Sequence, residues 1–224
     1  MKKNIAAIIP VYNEERMIGH VIDEVKKYVD IIIIVDDCST DGTIGKIKGD
    51  KVVLLRHMMN LGQGAAIQTG FDYAKINDVK IAVTFDADGQ FLASEIPSVI
   101  KPLFQNKADV VLGSRFLGKA IDVPLLRKVI LKYGIIFTYL FSGVKLSDTH
   151  NGFRALNKKA LFEIQVTHNR MAHASEIIDE ILHNNLRCVE VPVTVKYDGY
   201  SKVKGQKNIN SLKIVAQLIM QKMH

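Results

Sequence analysis

Apolar residues fall along the first half of the chain in two alternating rhythms. Short, mostly apolar runs at 4–9, 31–35, 52–55, 81–85 and 109–112 read as strands covered on both faces. Between them lie segments with helical spacing. Residues 14–28 place Met17, Ile18, Val21, Ile22 and Val25 on one stripe. Residues 63–75 do the same with Ala66, Ile67, Gly70, Phe71 and Ala74, and 94–105 reads as a helix with Pro97 in its first turn. Asp41-Gly42 turns the chain into a short helix. Strand and helix alternating at this spacing predict crossover units, an α/β class and a mainly parallel, Rossmann-like sheet flanked by helices. Ligands of such sheets bind beyond the carboxyl ends of the strands.

The second half is less regular. A stretch at 129–144 is apolar on nearly all sides, 147–154 is rich in turn residues, 174–184 reads as a helix and 187–196 as a strand. A basic loop at 197–208 precedes an amphipathic helix at 212–223, in which Leu212, Val215, Ile219 and Met220 share one side.

The 224 residues are 48% hydrophobic, enough for one core, so one domain is expected. A net charge of +7 points to an anionic partner without choosing among phosphorylated small molecules, nucleic acid and an acidic membrane. No nucleic-acid module is evident, which leaves phosphate handling as the simpler account. The two cysteines, Cys38 and Cys188, are far apart and make no disulfide framework, so a cytoplasmic setting is expected. No run reaches the roughly 18–20 apolar residues of a spanning helix.

Acidic clusters stand at two strand ends. Asp86 and Asp88, just past the run at 81–85, can share one divalent cation, and Gln90 adds a neutral oxygen on the same turn. An all-oxygen set suits Mg2+ or Mn2+. The alternative is a solvated turn. At the other end, Asp36-Asp37-Cys38-Ser39-Thr40-Asp41 offers Asp37 as a ligand to a ribose or base, with Ser39 to Asp41 capping the next helix. Asn60-Leu61-Gly62-Gln63-Gly64 opens a helix with small residues, which suits close approach of backbone to a ligand or tight packing; it is not a P-loop.

These segments occur in register with Pro10-Val11-Tyr12-Asn13-Glu14-Glu15, Gly113-Ser114-Arg115, Asp148-x-x-x-Gly152-Phe153-Arg154 and Glu190-Val191-Pro192-Val193. Together they resemble the family-2 glycosyltransferases of GT-A fold, in the branch that uses dolichyl and other polyprenyl phosphates, over residues 5–205. The resemblance implies one domain over 1–224. Its nucleotide-sugar half spans 1–115, its acceptor half 116–208 and its C-terminal amphipathic helix 209–224. It implies an inverting, metal-dependent hexosyltransferase with a UDP- or GDP-linked donor and a lipid-phosphate or glycan acceptor. By that analogy Pro10, Tyr12, Glu14 and Asp37 hold the nucleoside, and Gly64 lies at the donor. Asp86, Asp88 and Gln90 bind metal and diphosphate, Arg115 and Arg154 face phosphates, and Asp148 and Glu176 line the sugar and acceptor end. Ser201 and Lys202 match a pair that closes over the diphosphate. In place of the arginine often found just upstream, this sequence has Tyr197.

Two acceptor chemistries stay open. A lipid phosphate arrives already ionised, whereas a surface-glycan hydroxyl needs a base, for which Asp148 is the candidate; Asp148 otherwise only orients the turn to Arg154. A sugar nucleotidyltransferase is disfavoured because residues 10–15 lack a glycine-rich basic loop. A silent nucleotide-binding subunit is disfavoured by the intact acidic pair. Residues 129–144 and 212–223 either pack on their own domain or rest on the cytoplasmic membrane face, and homo-oligomerisation is left open.

Overall fold

The computed structural model describes residues 4–121, 146–170 and 172–197. Within them the chain runs β1 (Ile5–Val11), α1 (Ile18–Val25), β2 (Ile31–Asp36), α2 (Thr43–Lys46), β3 (Val52–Arg56), α3 (Gln63–Ile76) and β4 (Ile81–Thr84). A 3-10 turn, Ala93–Glu95, then leads into α4 (Ile96–Phe104) and β5 (Val110–Ile121). After the undescribed span come β6 (Arg154–Asn157), α5 (Lys158–Glu163), α6 (His173–His183) and β7 (Cys188–Lys196). The expected strands and helices of the first half are all present, with ends shifted by a few residues.

The seven strands form one sheet in the order β3-β2-β1-β4-β6-β5-β7. All neighbours are parallel except β6, which runs antiparallel to both β4 and β5. Alternation along the strands sorts side chains to two faces. Ile5, Ala7, Ile9 and Val11 of β1 join α1 and α4 in one core, while Ala6 and Ile8 join α3, α5 and α6 in the other. The result is a three-layer α/β/α arrangement, as the crossover spacing predicts.

Two elements go beyond the sequence reading. β6 and α5 fall in and after the stretch read as turns. Only Ala155 and Leu156 of β6 are apolar, too few to show a period, and the strand is held by two neighbours rather than by its own pattern. β5 runs on past 112 to Ile121, with a register shift between Ser114 and Lys119 against β7.

Under the carboxyl end of β4, Phe85, Phe91 and Phe153 form a triangle with centroid separations of 5.7, 5.2 and 5.3 Å. The rings anchor the loop after β4 to the turn before β6. Phe153→Ala is therefore expected to cost about 3–5 kcal/mol in urea unfolding, the range for truncating a buried aromatic. Phe153→Leu should lose less; equal losses would show that the site does not depend on the ring's volume.

Candidate functional site

The carboxyl ends of β1, β2 and β4 lie side by side in the sheet, since Val11 pairs with Asp36 and Ile8 with Thr84. The loops that leave them carry the expected residues. Pro10 is in the last turn of β1, and Tyr12, 46% exposed, follows directly. The loops after β1 and β2 are stitched together. Asn13, in the left-handed region at φ 55°, donates its N–H to Ser39 Oγ at 2.9 Å, and Thr40 N donates to Asn13 Oδ1 at 2.8 Å. Glu14 N donates to Thr43 Oγ1 at 2.7 Å, and Gly42 N to Glu15 Oε2 at 2.9 Å. Ser39 is thus a tie between loops rather than a helix cap. No side chain caps α2 at Gly42; Asp41 accepts from Thr43 N at 3.0 Å in a local turn.

Asp37 is buried, and its carboxylate holds the loop after β3. Oδ1 accepts from Leu61 N at 2.8 Å and Oδ2 from Gly62 N at 2.7 Å. His57 Nδ1 lies 2.8 Å from Oδ1, and His57 Nε2 lies 3.0 Å from Thr69 Oγ1. A carboxylate only accepts, so His57 Nδ1 is the donor of this pair. His57 carries no signal in the sequence by itself, because its partner lies across two strands.

Gly62, at φ 106°, and Gly64 allow a close approach, but to the chain's own backbone. A Cβ on Gly64 would sit 1.9 Å from His168 O, and one on Gly62 2.4 Å from Asn169 O. The space on the Cβ side of Gly64 is therefore filled by residues 168–170. Glu176 holds that same segment from the other side. Its carboxylate accepts from Thr167 N and His168 N, each at 2.9 Å, and from the Thr167 hydroxyl.

Asp86 has a different environment. Gln63 donates its side-chain amide to Asp86 Oδ1 at 3.0 Å. Burial pushes its carboxyl up to about 6, against the pull of Arg154, Arg115 and Gln63, while the charge of Glu14 pushes further up. Gly152 lies against the carboxylate, where a Cβ would be 2.6 Å from Oδ2. Asp88 is partly buried and accepts from Gln90 N at 3.0 Å, which fixes the turn; Gln90 itself is buried. Among the described residues no three His, Cys, Asp or Glu side chains converge on one point. Asp86 and Asp88 are thus a two-carboxylate set with Gln90 nearby. They fit a hard cation that completes its shell with water and substrate oxygens. A partly buried carboxylate whose side-chain hydrogen-bond donor is a neutral amide is the observation that favours such a cation.

The basic side chains behind it are buried. Arg115 donates from Nε to Asp148 Oδ2 at 2.6 Å, from one terminal nitrogen to Tyr197 Oη and from the other to His150 O at 3.2 Å. Asp148 is 2% exposed and also accepts from Arg115 N, His150 N and Asn151 Nδ2. Glu190 of β7 accepts from Ser147 N, Ser147 Oγ and Asp148 N, locking the turn from below. Arg154 donates to Asn151 O and Ala174 O, and burial lowers it to about 10, opposed by Asp86 and Asp148. Burial likewise lowers His150 and His173 to about 4, so both are neutral at pH 7.

The structure therefore brings Tyr12, Glu14, Asp37, Asp86, Asp88 and Gln90 to one edge of the sheet, with Arg115, Asp148 and Arg154 packed behind. Ser201 and Lys202 lie outside the described residues, as do 129–144 and 209–224. The sequence reading did not single out His57, Gln63, Asn151 or Glu190. Gln63 and Glu190 lay inside quoted motifs, and only their distance to Asp86 and Ser147 reveals what they hold.

The Glycosyl transferase family 2 model matches residues 6–164. An N-acetylglucosaminyltransferase of Methanococcus voltae, named for UDP-N-acetylglucosamine and dolichyl phosphate, is 35% identical over 99% of this chain and 97% of its own length. The polyprenol monophosphomannose synthase of Mycolicibacterium smegmatis is 28% identical over 88% of this chain and 80% of its own. Among solved structures, glucosyl-3-phosphoglycerate synthase from Mycobacterium tuberculosis, with Mn2+, UDP-glucose and phosphoglyceric acid, superposes with a TM-score of 0.72. It has 17% identity and covers 96% of this chain and 78% of that one, a likeness of GT-A fold.

The raised Asp86 pKa has a stability consequence. Between its ordinary 3.8 and about 6, the unfolded chain ionises Asp86 while the folded chain keeps the proton. Stability therefore falls as pH rises through that window and stays lowered above it. At about 1.4 kcal/mol per pH unit, metal-free Asp86→Asn should be more stable than wild type by about 1–3 kcal/mol near pH 8. Urea unfolding should show the two converging at about pH 4; a difference independent of pH would contradict the burial account.

Proposed function

The chain belongs to glycosyl transferase family 2 and is a glycosyltransferase, and from that premise we propose that it moves a hexose from a nucleotide-diphosphate sugar to a polyprenyl or dolichyl phosphate, with inversion. The observation that carries the choice of acceptor is the state of Asp148. Its carboxylate is buried, paired with Arg115 and engaged by further donors. A hydroxyl acceptor needs a base, and the residue best placed in the motif to be one is a structural counter-ion. A phosphate monoester loses its second proton near about 6, so it arrives as a nucleophile. The names of the two curated relatives, which specify dolichyl phosphate and a polyprenol monophosphate sugar, support the same reading.

In the proposed reaction a phosphate oxygen of the acceptor attacks the anomeric carbon from the face opposite the diphosphate. The bond from that carbon to the diphosphate oxygen breaks, and its electron pair leaves with the nucleoside diphosphate. No proton is transferred. Mg2+ or Mn2+, when bound, supplies positive charge to the leaving diphosphate. Asp86 and Asp88 would hold it, with Gln90 beside them. Tyr12, Glu14 and Asp37 lie where a nucleoside would rest, at the ends of β1 and β2. Asp37 and Glu176 act by shaping the 60–64 and 167–170 segments. Arg154, a buried cation beside Asp86, adds to the field that favours the departing charge. Ser201 and Lys202 are proposed to close over the diphosphate, as in the family pattern.

Among the described residues no helix is long and apolar enough to cross a membrane. Access to a lipid acceptor is proposed to come from the apolar 129–144 segment and the amphipathic 212–223 pattern resting on the bilayer surface.

The test is transfer of radiolabelled sugar from UDP- and GDP-linked donors, with Mn2+, to purified polyprenyl phosphate or to soluble glycan hydroxyls. Label extracting with the lipid is the expected result; label only on glycan would overturn the acceptor assignment. Asp148→Asn should cost about 3–5 kcal/mol of stability by leaving Arg115 unpaired. Where the variant is still folded, its kcat/KM should keep an acidic limb near about pH 6, that of the acceptor phosphate. Loss of that limb would make Asp148 the base.

A further inference from the structure

Asp86 and Asp37 sit at the ends of different strands, yet a three-residue stretch of chain joins their carboxylates. Asp37 takes the backbone N–H groups of Leu61 and Gly62. The next residue, Gln63, begins α3 and turns its amide to Asp86 Oδ1 at 3.0 Å. The stretch cannot shift outward, because Gly62 and Gly64 are flush against the 168–170 backbone, which Glu176 holds in turn. Gly152 also borders Asp86: a Cβ there would stand 2.6 Å from the carboxylate, and the Gly152 carbonyl accepts from Thr84 Oγ1 at 2.6 Å.

The choice of partner matters chemically. A lysine or arginine at 3.0 Å would neutralise Asp86 and compete with a cation for it. An amide donates one hydrogen bond and leaves the carboxylate its full charge. It also fixes which oxygen is engaged and which way the plane faces. Outer contacts of this kind commonly change metal affinity by about 10–100-fold when removed.

We propose that Gln63 is a positioning residue for Asp86: its amide holds the carboxylate in the orientation that binds a divalent cation and ties that orientation to the loop clamped by Asp37. The inference rests on the metal reading of Asp86 and Asp88 given above. It makes the two acidic clusters one mechanical unit, so that a nucleoside settling against the Asp37 loop also sets the cation ligand.

The test uses the full chain and Mn2+ alone, with free Mn2+ followed by electron paramagnetic resonance. Gln63→Met keeps the length and removes the donor; Gln63→Ala removes both. Each should weaken Mn2+ binding by about 10-fold or more relative to wild type. In metal-free urea unfolding, Gln63→Met and Asp86→Ala should be non-additive, because they break the same contact. Wild-type Mn2+ affinity in Gln63→Met, or additive unfolding effects, would overturn the role of Gln63 and leave the metal reading standing. Absence of Mn2+ binding by wild type would instead remove the metal reading, and this inference with it.

Discussion

The pairing of Arg115 with Asp148 is the interaction on which the second half of the sheet depends. A guanidinium and a carboxylate are both withdrawn from water there, a cost that only close, multiply bonded geometry offsets. The structure meets the requirement from several elements at once. β5 supplies Arg115, the 147–151 turn supplies Asp148, the His150 carbonyl and Asn151, and Tyr197 closes the other side. Glu190 of β7 then takes the backbone of Ser147 and Asp148. With the turn locked, Phe153 lies in the aromatic triangle and Arg154 starts β6 next to β4. The position of Gly152 behind Asp86 follows from this chain of contacts.

The carboxylates of the site divide by what answers their charge. Asp37 and Glu176 are answered by backbone N–H groups and hold loops in place. Asp148 is answered by an arginine. Asp86 takes a neutral amide as its side-chain hydrogen-bond donor, and burial raises its pKa against the pull of Arg154 and Arg115. That difference separates Asp37, Glu176 and Asp148, which hold loops and turns in place, from Asp86, the proposed cation ligand. It also explains why Arg115 and Arg154 are best viewed as a buried positive field behind the site. Their donors are largely turned to internal acceptors.

How much of this was legible beforehand follows from the range of the interactions. The continuous apolar runs of β1 and β2 and the helical stripe of α1 are local patterns, imposed by which faces must be dry, and they are readable from residue order. So is the placement of Asp36-Asp37 and Asp86-Asp88 at strand ends. β6 was not readable, since a four-residue strand with two apolar residues has no period of its own and is stabilised by β4 and β5. Gly64 was readable as a site of close approach but not as to what approaches. The roles of His57, Gln63 and Glu190 depend on partners 20 or more residues away.

The layered α/β class, the family resemblance and the strand ends at which acidic chemistry gathers are carried by residue order alone, because they follow from local periodicity and motif order. Which carboxylate meets an arginine, which meets backbone N–H groups and which meets an amide is set by the folded chain. That depends on desolvation and on donors arriving from distant elements: Arg115 reaching Asp148, and Gln63 reaching Asp86. Residue order records neither burial nor partner, and these two quantities set the chemistry of each acid.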